Sequence, residues 1–293
     1  MKKRILALLV ACMMVVAVFA GCSSEGNADA NNDGGNTEQG GNEAVSDSDV
    51  IVLGGLAPLT GDVSVYGIAV NNGVQIAVDE VNAAGGIDGK EVKYVVYDER
   101  GDAAEAVNAY NRLVQNDGAV AIVGDVTTNP CMAVFQQSQN DGIPIITASG
   151  TGDVLTTYGD NLFRACFMDS FQGGLMASYA YERLGARTAA VLFDNSDDYS
   201  VGLKDAFVAQ AAEDGLEVVA VESFTDGDVD FRAQLTNIAA NDIDILYLPI
   251  YYENLALIAP QAREVGITAT IVGGDGYDGV LSVIEESNLS SLE

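Results

Sequence analysis

The sequence predicts an α/β fold in which parallel β-sheets are covered by helices on both faces. From Val50 onward, short runs rich in Val and Ile alternate with longer amphipathic stretches. The short runs are apolar almost throughout, as strands buried on both faces are. The longer stretches have the apolar spacing of helices, and a regular alternation of strands and helices is typical of parallel sheets.

The predicted strands and helices follow one another in order along the chain. The strands lie at 50–56, 91–97, 119–124, 143–147, 188–193, 216–224, 243–250 and 268–274. The helices lie at about 67–83, 103–116, 130–140, 170–184, 199–213, 231–240 and 254–265. Gly185 and Gly266 stand where helices are expected to end, whereas Asn129 followed by Pro130 predicts an N-cap and the first residue of a helix.

The rhythm of strands and helices is interrupted near the middle, by DNLFRACFMDS at 160–170. Eight parallel strands could close into one barrel, but the interruption favours two sheets, and hence two lobes with a cleft between them. We expect a first lobe at 49–164 and a second lobe at 165–293. Ligands of open parallel sheets bind beyond the carboxyl ends of the strands, so the loops after the strands are the candidate site.

Hydroxyl groups follow two strands of the predicted first lobe. Thr127 and Thr128 come after the third strand, and Ser149 and Thr151 come after the fourth, among glycines. Hydroxyls and free backbone N–H groups near the starts of helices suit a small anion such as a carboxylate. Any one of these residues could equally be an ordinary turn or capping residue, so the prediction depends on their joint position.

Tyrosines and one acid follow the strands of the predicted second lobe. Tyr199 comes after the fifth strand, Tyr251 after the seventh and Asp275 after the eighth, and Tyr66 ends the loop after the first strand. Aromatic rings and a carboxylate suit an ammonium group attached to an apolar body. The two sets together predict a ligand that carries both charges, such as an α-amino acid.

The N-terminal residues predict export. A basic start precedes an apolar run at 5–20, which is short for a membrane span, and small residues follow it. Residues 1–21 are therefore predicted to be a signal peptide. The pair Ala20-Gly21 before Cys22 resembles the lipobox of bacterial lipoproteins, and this resemblance implies that Cys22 is lipidated. The alternative is an ordinary cleaved signal with an incidental cysteine.

The residues that follow the cysteine predict a tether. Residues 22–48 consist largely of Ser, Gly, Asn, Asp and Glu. Such a segment cannot bury enough apolar surface to offset the entropy of ordering, so we expect disorder. A flexible chain of this length reaches on the order of 30 Å. We interpret it as a tether that holds a folded part near the outer face of a membrane.

Composition excludes several classes of function. The net charge of −30 argues against a nucleic-acid partner and against adhesion to anionic lipid. The chain has no histidine, so it has no Ser-His-Asp triad and no histidine metal site. GGIDGKE lacks the spacing of a phosphate loop, and DGDVDF lacks the glycine of a calcium loop. We expect no enzyme activity, no cofactor and no metal. Cys131 and Cys166 could form a disulfide or remain two thiols.

Several longer motifs together resemble a known family. They are GLAPLTGDVSVYGIAVNNGVQIAVDEVNAAGGIDGKEVKYVVYDERGD at 55–102, then VGDVTTNP, GIPIITASGT, FRACFMDSFQGG, VLFDNSDDYSVGL and VGGDGYDG. Over about 49–290, the chain is similar to the amino-acid-binding proteins of branched-chain amino acid ABC transporters. These are type I periplasmic binding proteins with a two-lobed Venus-flytrap fold, in which each lobe is a parallel sheet with helices on both faces.

The resemblance implies roles for individual residues. Residues that would hold the carboxylate and part of the ammonium are Thr127, Thr128, Ser149 and Thr151. The tyrosines that would line the pocket and close over the ligand are Tyr66, Tyr199 and Tyr251. Asp275 stands where the family places an acid for the ammonium. Arg164, Asp169 and Gln172 match the motif at the lobe crossover, where a structural role is implied.

The resemblance also implies partners and location. We expect a monomer, lipid-anchored outside the cytoplasmic membrane, that delivers a neutral or branched-chain amino acid to permease subunits. Short-chain amides, urea or aromatic acids remain alternative ligands, and a sensory ectodomain of the same fold is an alternative role. Family members run past residue 293 and return to the first lobe, so we expect a C-terminally truncated chain.

Overall fold

The computed structural model describes residues 50–292. This part of the chain contains two parallel β-sheets, one of five strands and one of four. The predicted signal peptide, Cys22 and the predicted tether lie outside the described residues. Within 50–292, no helix combines the length and the apolar character that a membrane crossing requires.

The first sheet has the strand order β2-β1-β3-β4-β5, and all of its neighbouring strands are parallel. Its strands are β1 (Val50–Ala57), β2 (Glu91–Asp98), β3 (Ala121–Val123), β4 (Ile145–Thr147) and β5 (Leu162–Arg164). The helices of this half are α1 (Ser64–Ala83), α2 (Ala103–Gln115) and α3 (Thr128–Asp141). Because the strands are parallel, the loops that follow them emerge at one edge of the sheet.

The second sheet has the order β7-β6-β8-β9, again with parallel neighbours. Its strands are β6 (Thr188–Asp194), β7 (Glu217–Phe224), β8 (Ile245–Tyr247) and β9 (Thr270–Val272). The helices of this half are α4 (Asp169–Glu182), α5 (Asp198–Asp214), α6 (Arg232–Ala239), α7 (Tyr252–Glu264) and the short α8 (Val280–Val283). A 3-10 segment, Glu286–Leu292, ends the described residues.

Apolar clusters fix both sheets against their helices. In the first sheet, strand residues such as Ile122 and Ile145 pack with Tyr110 of α2 and Phe135 of α3. In the second sheet, one cluster joins the strands to α6 and α7, and another joins them to α4 and α5. Burial of each large apolar side chain contributes about 1.5–3 kcal/mol, so the ends of the strands are held firmly.

The predicted fold is confirmed, with one missed strand, one wrong N-cap and several element bounds shifted by one to three residues. β5 lies inside the stretch that was predicted to interrupt the rhythm, and its three residues are too few to show a pattern. α3 begins at Thr128 with Thr127 as N-cap, so the expected N-cap at Asn129 is wrong. The Asn129 side chain instead bonds the backbone of Ser196 and Asp198, across to the second half. Pro130 is tolerated because first-turn N–H groups have no partner within the helix.

The two cysteines within residues 50–292 are separate thiols. Cys131 is buried in α3, and its Sγ lies 3.5 Å from the hydroxyl of Thr147. The Sγ of Cys166 lies 3.4 Å from the carbonyl oxygen of Gly150. The sulfur of Cys131 therefore contacts the end of β4, the sulfur of Cys166 contacts the loop that follows β4, and the structure has no disulfide between them.

Candidate ligand-binding site

The loops after the strands of both sheets meet around one cavity of about 320 Å³. Its lining residues are Tyr66, Val126, Thr127, Ser149, Thr151, Tyr199, Tyr251, Asp275, Gly276 and Asp278. All of the predicted site residues except Thr128 are among them. The volume lies at the lower end of the range for small-molecule sites, so the cavity suits a small ligand.

The first-sheet side of the cavity presents hydroxyl groups, which we call the hydroxyl wall (Val126, Thr127, Ser149 and Thr151). The Ser149 hydroxyl donates to the carbonyl oxygen of Val126 at 2.7 Å, which ties the loop after β4 to the loop after β3. Thr127 is the N-cap of α3, so the first N–H groups of a helix lie beside this wall. The hydroxyl wall therefore combines an ordered backbone with donors that can face an anion.

Thr128 lies beneath the hydroxyl wall and not on the cavity surface. Its side chain is buried, and its Oγ1 accepts a hydrogen bond from the N–H of Gly152 at 3.3 Å. A Cβ at position 152 would come within 2.6 Å of the Thr128 methyl carbon, so the backbone of Gly152 packs closely against the Thr128 side chain. The Thr128 side chain thus holds the loop after β4 against the start of α3.

The opposite side presents tyrosines and one acid, which we call the acidic wall (Tyr199, Tyr251, Asp275 and Gly276). The rings of Tyr199 and Tyr251 stack at 4.6 Å between centroids, with 9° between their planes. Tyr66, from the start of α1, contacts Tyr251 at 6.0 Å, and its hydroxyl donates to the carbonyl oxygen of Gly276 at 2.6 Å. That bond joins the two halves of the chain directly across the cavity.

The carboxylate of Asp275 is held by two side chains from other elements. The Tyr199 hydroxyl donates to its Oδ1 at 2.7 Å, and Gln172 Nε2 donates to the same oxygen at 3.0 Å. The Asp275 N–H in turn donates to Gln172 Oε1 at 2.6 Å. Since both side-chain donors reach Oδ1, Oδ2 keeps its capacity to accept hydrogen bonds from a ligand.

The glycine after Asp275 is required by close packing. A Cβ at Gly276 would lie 2.6 Å from both the carbonyl oxygen of Ile250 and the hydroxyl of Tyr199. The Gly276 N–H also donates to that hydroxyl at 2.9 Å. The absence of a side chain at position 276 therefore lets the loop after β9 bring Asp275 against Tyr199.

The hydroxyl groups of the tyrosines stay protonated. Burial, together with the negative charge of Asp275, raises the pKa of Tyr66 and of Tyr199 far above the usual tyrosine value. Burial likewise raises the pKa of Tyr251, to which the nearby charge of Asp197 adds. These rings are thus neutral hydrogen-bond donors around an acidic group, an arrangement that suits a cation with an apolar body.

The sequence pattern did not assign four residues to this site, namely Val126, Gln172, Gly276 and Asp278. Gln172, for which a structural role at the crossover was expected, contacts Asp275 directly, although 103 positions separate them. Asp278 also lines the cavity. No local signal pairs such distant positions, because the contact arises from the packing of α4 beside β9. Within 50–292, His, Cys, Asp and Glu residues form no group that could hold a metal ion.

The geometry defines a class: a protein with two parallel sheets whose strand ends enclose a cavity of the size of a small ligand. A family model described as "Periplasmic binding protein" matches residues 50–292. The chain belongs to this family. It is a family of binding proteins and not of enzymes, which agrees with the expectation from the sequence.

Individual relatives are similar over most of the described residues. The Leu/Ile/Val-binding protein BraC3 of Rhizobium johnstonii is 36% identical over 227 residues, which are 77% of this chain and 61% of that protein. The crystal structure of LivJ from Streptococcus pneumoniae in complex with isoleucine is 39% identical with a TM-score of 0.73, over 78% of this chain and 65% of that one. The crystal structure of the leucine-binding protein LivK of Thermotoga maritima is 36% identical with a TM-score of 0.74, over 78% of this chain and 64% of that one. The chain thus spans less than two thirds of these relatives.

Proposed function

We propose that the protein is the substrate-binding component of an ABC importer and that it captures a neutral, branched-chain α-amino acid outside the cytoplasmic membrane. The observation that supports this proposal best is the division of the cavity into a hydroxyl wall and an acidic wall. The relatives named above are binding proteins for leucine, isoleucine and valine. Permease subunits are the partner that such a component requires.

In the proposed complex, the ligand carboxylate faces the hydroxyl wall. Thr127 caps α3, and the free N–H groups of the first turn of a 14-residue helix favour an anion there. The hydroxyl of Thr151 supplies a further donor at the cavity surface. The carboxylate position is thus defined by donors that belong to the first half of the chain.

The ligand ammonium and side chain face the acidic wall. Asp275 accepts hydrogen bonds from the ammonium, and such charge-assisted bonds contribute about 1.5–3 kcal/mol each. The rings of Tyr66, Tyr199 and Tyr251 surround the apolar body of the ligand. Because Tyr66 belongs to the first half of the chain and the other two to the second, the ligand contacts both halves at once.

A thermal-shift screen tests this proposal. The probes are the twenty amino acids, their des-amino acids, acetamide, urea and benzoate. A ligand that binds only the native state stabilises it by RT ln(1 + [L]/Kd), about 2.7 kcal/mol at 100 Kd. We expect leucine, isoleucine or valine to give the largest shift. A response to amides, urea or benzoate with none to amino acids would contradict the proposal.

The lipid anchor at Cys22 is a second part of the proposal, supported by the apolar run and the small residues before this cysteine. The test is membrane fractionation of cells that express Cys22→Ala. We expect this variant to leave the membrane fraction or to remain unprocessed. Cys12→Ala, which removes the other cysteine of the N-terminal segment, is the matched control and should stay with the membrane. Equal membrane retention of Cys22→Ala and the wild type, with both proteins processed to the same size, would contradict the anchor.

A further inference from the structure

A buried acid lies next to the cavity, and no well-aligned hydrogen bond from the described residues reaches its carboxylate, although the nearby Thr151 hydroxyl favours its ionised form. Asp169, the first residue of α4, is 1% exposed. Its backbone N–H donates to the carbonyl oxygen of Thr151 at 3.0 Å, which fixes it behind the hydroxyl wall. Among residues 50–292, neither carboxylate oxygen of Asp169 has a hydrogen-bond partner of good geometry. A buried ionised carboxylate in this state would be costly, so the group needs a proton or a compensating charge.

The surroundings of Asp169 add to its need for a proton or a compensating charge. A Cβ at Gly202 of α5 would lie 3.4 Å from Asp169 Oδ2, so backbone packs against the carboxylate on that side. The hydroxyl of Tyr247, on β8, is also fully buried and has no partner within the described residues. The titratable groups that act on Asp169, or on which it acts, are Asp153, Cys166, Asp197, Tyr247, Tyr251 and Asp275.

These groups determine the protonation of Asp169. Burial raises its pKa to about 7; the hydroxyl of Thr151 opposes this rise, and the charges of Asp275, Asp153 and Asp197 add to it. The contribution of Asp275 links Asp169 to the ligand, because Asp275 is the group that would face an ammonium. A positive charge beside Asp275 cancels its effect and favours the ionised form of Asp169.

We propose that Asp169 couples ligand binding to proton release: it holds a proton in the free protein and loses that proton when an ammonium group enters the cavity. This inference rests on the proposed function, since it requires a ligand with an ammonium group. Asp169 is then a positioning residue that acts through Asp275 and Thr151. Its ionisation would give the bound state a second negative charge near the ammonium.

The test is calorimetric titration with L-leucine and L-isoleucine in buffers of different ionisation enthalpy, at pH values from about 5 to 7.5, where these amino acids stay zwitterionic. The slope of the binding enthalpy against the buffer enthalpy gives the number of protons released. We expect roughly half a proton per ligand at pH 7 and less at pH 5, where Asp169 stays protonated in both states. 4-Methylpentanoate, which lacks the ammonium, should release none.

Two variants separate Asp169 from other acids. Asp169→Asn keeps the shape of the protonated form, so we expect it to fold and to bind amino acid without the proton release. Asp198→Asn removes an exposed acid of α5 that does not line the cavity, and should release protons like the wild type. Tyr247→Phe removes a hydroxyl that can stabilise the ionised form, so the pH of maximal release should rise.

Difference infrared spectroscopy of the wild type provides a readout that does not depend on a variant. The band of a protonated carboxyl group should decrease when leucine is added. Binding without proton release, or undiminished release from Asp169→Asn, would overturn this proposal and leave the proposed function intact. If the wild type binds no amino acid at all, both proposals are wrong.

Discussion

The hydroxyl wall and the acidic wall of the cavity differ in charge and in what their side chains bind. The hydroxyl wall is neutral, and its Ser149 already donates to the backbone of Val126. The acidic wall carries a charge, and its Tyr199 and Gln172 both serve to hold Asp275. The hydroxyl wall would therefore recognise a ligand by the positions of its hydrogen-bond donors, and the acidic wall would recognise it by charge.

The layers behind the two walls differ as well. Behind the hydroxyl wall, Glu99 and Asp125 are fully buried beside each other, at the ends of β2 and β3. Burial raises the pKa of both carboxyl groups, and their mutual repulsion raises that of Glu99 further. The pair therefore keeps a proton at neutral pH. The acidic wall is instead supported by neutral tyrosines, and Asp275 accepts a hydrogen bond from the buried hydroxyl of Tyr199 and does not share a proton with a second acid.

The largest effect is expected when the charge of the acidic wall is removed. Asp275→Asn keeps the size of the side chain but removes its negative charge. The variant thereby loses a charge-assisted hydrogen bond to the ligand ammonium, which contributes about 1.5–3 kcal/mol. Affinity for isoleucine should fall by about ten- to a hundredfold, measured by calorimetric titration. Asp198→Asn, which removes an equal charge outside the cavity, should stay within about twofold of the wild type. Equal losses of affinity in Asp275→Asn and Asp198→Asn would mean that affinity depends on the net charge of the protein and not on the position of Asp275.

The buried acid pair should control stability against pH. Because the folded pKa of Glu99 is raised, the native state binds more protons than the unfolded state, and stability falls as pH rises above the unfolded pKa. Glu99→Gln removes this loss and keeps an acceptor for the N–H of Gly101, which Glu99 Oε2 holds at 2.7 Å. Its free energy of unfolding should exceed that of the wild type by about 1–3 kcal/mol at pH 8, with a smaller difference at pH 5.

The control for this prediction is Glu105→Gln, which changes an exposed acid of α2. Glu105 pairs with Arg100 at the surface, so its loss should change stability by less than about 1 kcal/mol at either pH. Urea denaturation at the two pH values measures all three proteins. A Glu99→Gln protein that is less stable than the wild type at pH 8 would contradict this prediction. It would show that Glu99 is ionised in the native state and that its charge is stabilised there.

A smaller effect is expected from the hydroxyl that positions Asp275. Tyr199→Phe keeps the ring stacked on Tyr251 but loses the donor to Oδ1 and the acceptor of the Gly276 N–H. Each neutral hydrogen bond contributes about 0.5–1.5 kcal/mol, so affinity should fall by about three- to tenfold. Tyr179→Phe, on the exposed face of α4, should bind like the wild type. Unchanged affinity in Tyr199→Phe would mean that Gln172 alone holds the carboxylate.

The smallest effect is expected on the hydroxyl wall. Ser149→Ala removes the bond to Val126, at a cost of about 1 kcal/mol in stability, and should weaken isoleucine binding by less than about threefold. Ser178→Ala removes a hydroxyl that donates to Asp214, far along α4, and should lower stability without changing affinity. Thermal denaturation and titration measure both. A tenfold loss of affinity in Ser149→Ala would show that the hydroxyl contacts the ligand and does not only tie the loops.

The sequence predicts the strand–helix order well because each element carries its own periodic pattern. β5 was not predicted, because its three residues are too few to show a periodic pattern. Residues after strands were also correctly expected to meet, because parallel strands share one edge. The contact of Gln172 with Asp275, and those of Asn129 with the opposite half, could not be predicted, because they depend on how separate elements pack. Likewise, nothing in its local sequence shows that Asp169 lacks a partner.

The most direct test of the central claim compares two ligands against two proteins. Isoleucine and 3-methylpentanoate differ only by the ammonium, and the wild type and Asp275→Asn differ only by the charge of the acidic wall. If the acidic wall recognises the ammonium, calorimetric titration will show that Asp275→Asn loses at least about tenfold in affinity for isoleucine and almost none for 3-methylpentanoate. Equal losses for the two ligands would contradict this account, because Asp275 would then shape the loop without contacting the amine.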